Sequence, residues 1–169
     1  MQTSPFRLPK VTPFRLLERA AERATGLHIL DEYYQQRPHN SDSKTFLRHT
    51  LNKLKVQYQI TSGNLRDIPA CGPLVIVANH PLGAVEGVIL AEMLLQVRSD
   101  VKVLANQYLT LIPELAPLFI SVDVFEGESA IKANMKAMRK GLEHLNNDGV
   151  LLVFPAGEVS SYDETGQIN

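Results

Sequence analysis

The sequence predicts an α/β fold in which a mixed, largely parallel sheet is flanked by helices. Short continuous apolar runs, typical of strands buried on both faces, occur at Leu74–Ala78, Val101–Ala105, Phe119–Val124 and Val150–Phe154. Segments of helical length separate these runs, and such alternation favours parallel pairing. We place the α/β core at residues 56–169 and expect its C-terminal part to be incomplete.

Residues 1–55 are predicted to form a basic N-terminal arm with helices, which either packs on the core or lies on a membrane surface. Phe14–Ala24 is predicted as a helix with three arginines at fourfold spacing, Arg15, Arg19 and Arg23. The loop at residues 37–42 leads to an N-cap and a second helix at about Ser43–Leu54.

Within the core, Val56–Ile60 alternates apolar and polar residues, which predicts a half-buried strand. The segment Val88–Val97 is apolar on nearly all sides except Glu92 and Gln96, as expected for a helix buried against a sheet. A further helix before the last apolar run carries one apolar stripe, made of Ile131, Met135, Met138, Leu142 and Leu145.

Composition and charge limit the classes of function. Apolar residues make up 44% and charged residues 21% of the chain, which is typical of a globular domain. The single cysteine, Cys71, excludes an internal disulfide framework and a multi-cysteine metal site. No run reaches the roughly 18 apolar residues that a spanning helix requires. We therefore expect a chain that does not cross a membrane.

The charge is unevenly distributed along the chain. Residues 1–66 contain 11 Lys or Arg and 5 Asp or Glu, whereas residues 67–169 contain 6 and 13. A basic segment binds anionic headgroups at about 1 kcal/mol per well-placed charge, and it binds nucleic-acid phosphates by the same electrostatics. No aromatic-interleaved basic motif accompanies the charge, so the expected partner is a membrane lipid surface and not nucleic acid. A solvated helix face is the alternative.

The first candidate site follows the strand at Leu74–Ala78, at Asn79-His80-Pro81-Leu82-Gly83-Ala84-Val85-Glu86-Gly87. Here a histidine lies in a Pro/Gly turn directly after a strand, and a carboxylate follows in the first turn of a predicted helix. A catalytic histidine needs a partner that sets its tautomer and stabilises the imidazolium, and Glu86 could reach back to His80. Alternatively, His80 caps the helix and Glu86 favours its positive end.

The second candidate site is Val153-Phe154-Pro155-Ala156-Gly157-Glu158-Val159-Ser160-Ser161, where another strand ends in a Pro/Gly turn. Backbone amides in such a turn can point at an anion or an oxyanion. Taken alone, this motif is only a turn. Ligands of open α/β sheets bind beyond the carboxyl ends of the strands, and both motifs lie at such ends.

Together the two motifs resemble the lysophospholipid (1-acylglycerol-3-phosphate) acyltransferase family, in which an Asn-His turn with a following acid accompanies a Phe-Pro loop. The match covers about residues 56–161. The motif sequences Asn-His-Pro and Phe-Pro-Ala-Gly resemble those of the haemolysin or ornithine-lipid acyltransferase branch. The resemblance implies two catalytic residues, His80 and Glu86. It also implies substrate-binding positions at Asn79, Pro81, Gly83, Phe154, Pro155, Ala156, Gly157 and Glu158.

The resemblance implies direct transfer of a fatty acyl group to the hydroxyl of a lyso-lipid. His80 would act as general base, Glu86 would hold it, and backbone amides near Gly157 would stabilise the oxyanion. The donor would be a thioester of acyl carrier protein or coenzyme A. No metal or other cofactor is implied, and His28, His39, His49 and His144 are interpreted as solvated residues. The expected location is cytoplasmic, peripheral on the inner face of the membrane.

Two departures from the family pattern affect this interpretation. Five residues separate His80 from Glu86, where the main family has four and an Asp. Two segments carry phosphate-binding arginines in the main family. In this sequence the corresponding segments read Glu158-Val159 and Val122-Asp123. An acidic loop repels a phosphomonoester and suits an ammonium group, which favours an amino-acid lipid as acceptor. The alternative hypothesis is a membrane-associated domain or fragment of the same fold without turnover.

Overall fold

The computed structural model describes residues 4–7, 25–123 and 128–157, with the side chain of Ser129 excluded. Its helices are α1 (Leu27–Gln35), α2 (Ser43–Lys53), α3 (Ala84–Leu94) and α4 (Glu128–Asn146). Its strands are β1 (Leu74–Val77), β2 (Val101–Asn106), β3 (Phe119–Val122) and β4 (Val150–Val153). Short 3₁₀ turns span Leu65–Asp67 and Gln107–Leu111.

The strands form one sheet in the order β1-β4-β2-β3, and every pair is parallel. The α/β fold with flanking helices is therefore confirmed, and each predicted apolar run overlaps an observed strand. The expected antiparallel component is not found among the described strands. Because β1 and β4 are direct neighbours, the segments that follow Val77 and Val153 leave the sheet side by side.

The main core lies on one face of the sheet, beneath α3 and the two preceding helices. Val150 and Leu152 of β4 are fully buried, and they join Leu47 of α2 and Ala91 of α3 in one cluster. The helix predicted at Ser43–Leu54 is confirmed as α2, and the Asp42 side chain caps it by accepting a hydrogen bond from the Thr45 amide at 2.8 Å.

One apparent surface residue of α3 is buried. Glu92 was expected on the polar side of this helix, but it is only 3% exposed. Its carboxylate accepts hydrogen bonds from Arg48 at 2.9 Å and from Tyr58 and Gln96, each at 2.8 Å. Burial alone would raise the pKa of Glu92, but the hydrogen bonds from Tyr58, Arg48 and Gln96 bring it below the ordinary value. These contacts link α2 and the segment after it to α3.

On the opposite face of the sheet, α4 packs through small residues. Ala137 and Gly141 are buried, and Ala137 belongs to a second cluster with Ile120 and Leu151. The apolar stripe predicted on this helix is present, but only Leu145 packs against this cluster. Its other four residues are exposed, because alanine and glycine on another face of the helix allow the helix backbone to approach the sheet closely.

Two predictions for the N-terminal half have different outcomes. The strand predicted at Val56–Ile60 was wrong, because this segment is not part of the sheet and Tyr58 and Ile60 are exposed. The arginine-bearing helix at Phe14–Ala24 lies outside the described residues. In the part of the chain that the structure describes, no helix has the length and apolar character needed to span a bilayer.

Candidate active site

The candidate site lies where β1 ends and α3 begins. β1 ends at Val77, and His80 follows in the loop that Gly83 closes. Gly83 has φ 72° and ψ −122°, a conformation that favours glycine, and α3 starts at the next residue. This turn places Glu86 in the first helical turn, where the helix dipole stabilises a carboxylate.

The structure brings His80 and Glu86 into contact. His80 Nδ1 lies 2.9 Å from Glu86 Oε1, and their side chains are 21% and 12% exposed. The two atoms are close but not aligned as a hydrogen bond, so Nδ1 has no aligned partner. Glu86 Oε1 also accepts the Leu82 amide at 3.0 Å, which fixes the carboxylate against the turn. The longer glutamate side chain thus spans the extra residue in the spacing.

Phe154 connects the two sequence motifs. Its ring lies against the His80 ring, with centroids 4.6 Å apart and planes inclined by 34°. A Cβ atom on Gly87 would lie 4.0 Å from Phe154 Cζ, so the second motif also contacts the start of α3. The imidazole is therefore held between a carboxylate at Nδ1 and an aromatic ring at its face, and Nε2 is the nitrogen that remains for a substrate.

The turn at residues 154–157 changes one expectation about the oxyanion. Gly157 has φ 73°, and its N–H donates to the Phe154 carbonyl at 3.0 Å. That amide is therefore engaged within the turn, and Pro155 has no N–H. Among the described residues of this loop, Ala156 supplies the remaining amide near the turn. Glu158 lies outside the described residues.

The other predicted substrate-binding positions border the same loops. Asn79 and Pro81 flank His80 and are exposed, whereas Gly83 is partly buried. Pro155 and Ala156 are also exposed. The structure thus brings His80, Glu86 and Phe154 into contact, and it leaves the remaining described positions at the rims of the two loops.

An apolar cavity of about 240 Å³ begins at the first turn of α3. Ala84 and Val85, which directly precede Glu86, form part of its wall together with Val88. The rest of the wall comes from α1, α2, the loop after β2, and Phe6. Sequence reasoning missed this cavity because its lining is spread over segments far apart in the chain. The local signal was limited to the apolar residues Ala84, Val85 and Val88.

Two histidines interpreted as solvated have buried atoms. His144 Nε2 lies 2.8 Å from the Asp100 carbonyl oxygen, so this residue links α4 to the start of β2. His49 lines the apolar cavity, and its Nε2 is buried without a hydrogen-bond partner. Across residues 4–7, 25–123 and 128–157, no group of three or more His, Cys, Asp or Glu side chains could hold a metal ion.

Comparison with known proteins decides the family. The model of a family described as "Acyltransferase" matches residues 7–169, nearly the whole chain. The chain belongs to this acyltransferase family. A lyso-glycine lipid O-acyltransferase of Phocaeicola vulgatus is 27% identical over 136 residues, covering 74% of this chain and 47% of that protein. The acyltransferase chain thus spans about half the length of this curated relative. No solved structure matches.

The family assignment confirms the resemblance to acyltransferases that the two motifs indicated. The narrower assignment to the haemolysin branch has no support from these matches.

Proposed function

We propose that this protein is an O-acyltransferase that moves a fatty acyl group from an acyl thioester to the hydroxyl of a lyso-lipid. The observation that carries the proposal is the contact of 2.9 Å between His80 Nδ1 and Glu86 Oε1 at the start of α3. The negative charge of a carboxylate beside Nδ1 favours the tautomer that carries the proton on Nδ1, which leaves Nε2 unprotonated and able to accept a proton.

The reaction would proceed without an acyl-enzyme. His80 Nε2 takes the proton of the acceptor hydroxyl, and that oxygen forms a bond with the thioester carbon. The carbonyl electron pair moves to oxygen, and the intermediate then collapses by breaking the carbon–sulfur bond. The departing thiolate takes the proton from the imidazolium, which restores His80. Glu86 stabilises the imidazolium while it exists.

The oxyanion needs donors that are oriented before the reaction begins. In the second motif we assign this role to the Ala156 amide, since the Gly157 amide already donates to the Phe154 carbonyl. Loss of one oxyanion donor typically lowers kcat about 10²- to 10³-fold.

The apolar cavity beside Ala84 and Val85 would receive the acyl chain. Its wall is formed almost entirely by aliphatic and aromatic side chains, and burial of each methylene contributes about 0.8 kcal/mol. The wall of this cavity includes the first turn of α3, and we propose that a chain lying in it has its thioester carbonyl near His80. The thioester of acyl carrier protein or coenzyme A is the donor class we propose.

For the acceptor we propose a lyso-lipid that carries an amino acid and no phosphomonoester. The sequence places Glu158 directly after Gly157, where phosphate-binding relatives carry neutral and basic groups. The name of the Phocaeicola relative, a lyso-glycine lipid O-acyltransferase, is consistent with this acceptor class. We propose a peripheral location on the cytoplasmic face of the membrane, where a lipid acceptor and a soluble thioester can meet.

Acyl transfer can be measured as thiol release and as product lipid, with lyso-glycine lipid and lysophosphatidate as acceptors. We expect product with lyso-glycine lipid and a loss of about 10²- to 10⁴-fold in His80→Ala, the range of a general base. His39→Ala is the matched control, because His39 is exposed and distant in sequence from both motifs.

Equal activity of His80→Ala and the unmodified protein would exclude the proposed mechanism. Faster transfer to lysophosphatidate would exclude the proposed acceptor class. A folded protein that binds vesicles but transfers to neither acceptor would favour the non-catalytic alternative.

A further inference from the structure

The apolar cavity beside α3 contains one polar atom that the fold leaves without a partner. The cavity has a volume of about 240 Å³, and its wall consists mostly of aliphatic and aromatic side chains. His49 of α2 is part of this wall, and its Nε2 atom is buried without a hydrogen-bond partner among the described residues. Buried polar atoms in folded proteins are almost always paired, so an unpaired Nε2 in a cavity wall points to a missing partner.

The other polar side chains of the wall differ from His49 in this respect. The Tyr34 hydroxyl donates to the Glu114 carboxylate at 3.0 Å, and the Thr50 hydroxyl donates to the Phe46 carbonyl at 2.9 Å. Among the described side chains that line the cavity, His49 alone has a buried nitrogen or oxygen atom without a partner. The expected ligand therefore has a single hydrogen-bonding group at this position.

Water does not fit this position well. A buried water molecule typically makes about three hydrogen bonds to polar groups that would otherwise be unpaired. The described side chains of the wall provide no second buried, unpaired polar atom besides His49 Nε2. The cavity therefore suits a molecule that is apolar along most of its length and carries one polar group.

A hydroxyl is the polar group that matches a histidine nitrogen in either tautomer. In neutral imidazole one ring nitrogen donates a hydrogen bond and the other accepts one, and the tautomer decides which role Nε2 has. A hydroxyl both donates and accepts, so it pairs with Nε2 in both tautomers. A keto or ether oxygen only accepts, so it pairs with Nε2 in one tautomer alone.

We infer that the cavity binds an acyl chain that carries a hydroxyl, and that His49 Nε2 forms a hydrogen bond with this hydroxyl. The inference rests on the proposed function, in which the cavity receives the chain of the thioester donor. The hydroxyl on the donor chain is distinct from the acceptor hydroxyl that attacks the thioester. His49 thus determines which donor is preferred and takes no part in the bond-forming step.

The unpaired Nε2 disfavours an unsubstituted chain. Such a chain fills the cavity and leaves Nε2 buried without a partner, whereas a hydroxylated chain supplies the missing hydrogen bond. A site built to form a hydrogen bond with one group of its substrate discriminates against the analogue that lacks this group. We expect the hydroxylated chain to bind about 3- to 10-fold more tightly than an unsubstituted chain of equal length, the effect of one neutral hydrogen bond.

Calorimetric titration with free fatty acids tests the inference without turnover. The probes are one unsubstituted fatty acid and a series of equal length with a single hydroxyl at successive positions along the chain. We expect at least one hydroxylated member to bind about 3- to 10-fold more tightly than the unsubstituted acid. This advantage should disappear in His49→Phe, which keeps a planar ring without the nitrogen. Thr50→Val, in the same wall, is the matched control and should keep the advantage, because the Thr50 hydroxyl already donates to the Phe46 carbonyl.

Nitrogen NMR of the unmodified protein, labelled at histidine, measures the contact directly. The His49 resonances are identified as those that His49→Phe lacks. The hydroxylated acid that binds most tightly should shift the Nε2 resonance of His49 more than the unsubstituted acid does, because it alone forms a hydrogen bond there. This measurement does not depend on how well a variant folds.

Acyl transfer from the corresponding thioesters separates the inference from the proposed function on which it rests. With lyso-glycine lipid as acceptor, kcat/KM should favour the hydroxylated donor by the same factor of about 3 to 10, and His49→Phe should make the two donors equal.

The outcomes differ for the two proposals. Transfer without any hydroxyl preference, or an equal shift of Nε2 by both acids, would overturn the inference and leave the proposed function intact. Hydroxyl-dependent binding without transfer would support the site for a hydroxylated chain and contradict the proposed function. A His49-dependent preference that requires the hydroxyl on the chain of the lyso-lipid would assign the cavity to the acceptor and overturn the inference.

Discussion

The ring of Phe154 lies on the ring of His80, with centroids 4.6 Å apart, and this contact joins two motifs that are far apart in the chain. The pairing of β1 with β4 produces it, because parallel neighbours deliver their following residues to the same edge of the sheet. Phe154 does not exchange a proton, so we propose it as a positioning residue for His80, the proposed base.

Phe154→Ala should lower kcat about 10- to 100-fold with a small effect on KM, because a misplacement of about 1 Å can cost around 100-fold in rate. Phe154→Leu keeps most of the packing volume and should recover part of the loss. Steady-state kinetics with a fixed thioester donor measure both parameters. A change confined to KM would instead make Phe154 part of the substrate-binding surface.

Glu86→Asp should lower kcat by about 100-fold, although it keeps the charge. The carboxylate now reaches His80 Nδ1 at 2.9 Å across a spacing of five residues, and aspartate is one methylene too short for that reach. Glu86→Gln keeps the length of the side chain but removes its charge. Comparing kcat of the two variants therefore distinguishes the effect of side-chain length from the effect of charge. Full activity of Glu86→Asp would show that the contact with His80 is not required.

Val88→Phe should shift donor preference towards shorter acyl chains, because Val88 lines the apolar cavity and a larger side chain fills it. Each methylene expelled from the cavity should lower relative kcat/KM for long donors about fourfold, the equivalent of 0.8 kcal/mol. A series of acyl thioesters of increasing length provides the measurement. Val75→Phe, on the other face of the sheet, is the control, and an unchanged preference in Val88→Phe would place the chain elsewhere.

Acid should weaken the fold partly through Glu92, whose pKa is lowered in the folded protein. A carboxyl with a lowered folded pKa stabilises the native state above its ordinary value of 4.5, and this contribution is lost as pH falls through the folded pKa. Glu92→Gln should therefore lower the free energy of unfolding at neutral pH by about 2 kcal/mol. Its denaturation curves should also depend less on pH in the acidic range. Identical acid dependence in Glu92→Gln and the unmodified protein would contradict this role.

Local patterns were sufficient to locate the strands and the two motifs. Continuous apolar runs predicted β1 to β4, although one face of β1 is exposed at Val75 and Val77. The Pro/Gly turns after β1 and β4 indicated where side chains leave the sheet. The strand predicted at Val56–Ile60 failed, since alternation describes a side-chain pattern but does not supply a pairing partner.

The sequence alone determined the acyltransferase motifs, the α/β alternation and the positions of His80 and Glu86, because turn chemistry and apolar periodicity act over a few residues. Only the tertiary structure decided that Glu92 is buried, that the apolar flank of α4 is exposed and that an apolar cavity borders the first turn of α3. Each of these features depends on which helices and strands pack against each other in the folded chain. Packing of α4 through Ala137 and Gly141 turns its large apolar side chains outward, and no local pattern in the helix specifies that orientation.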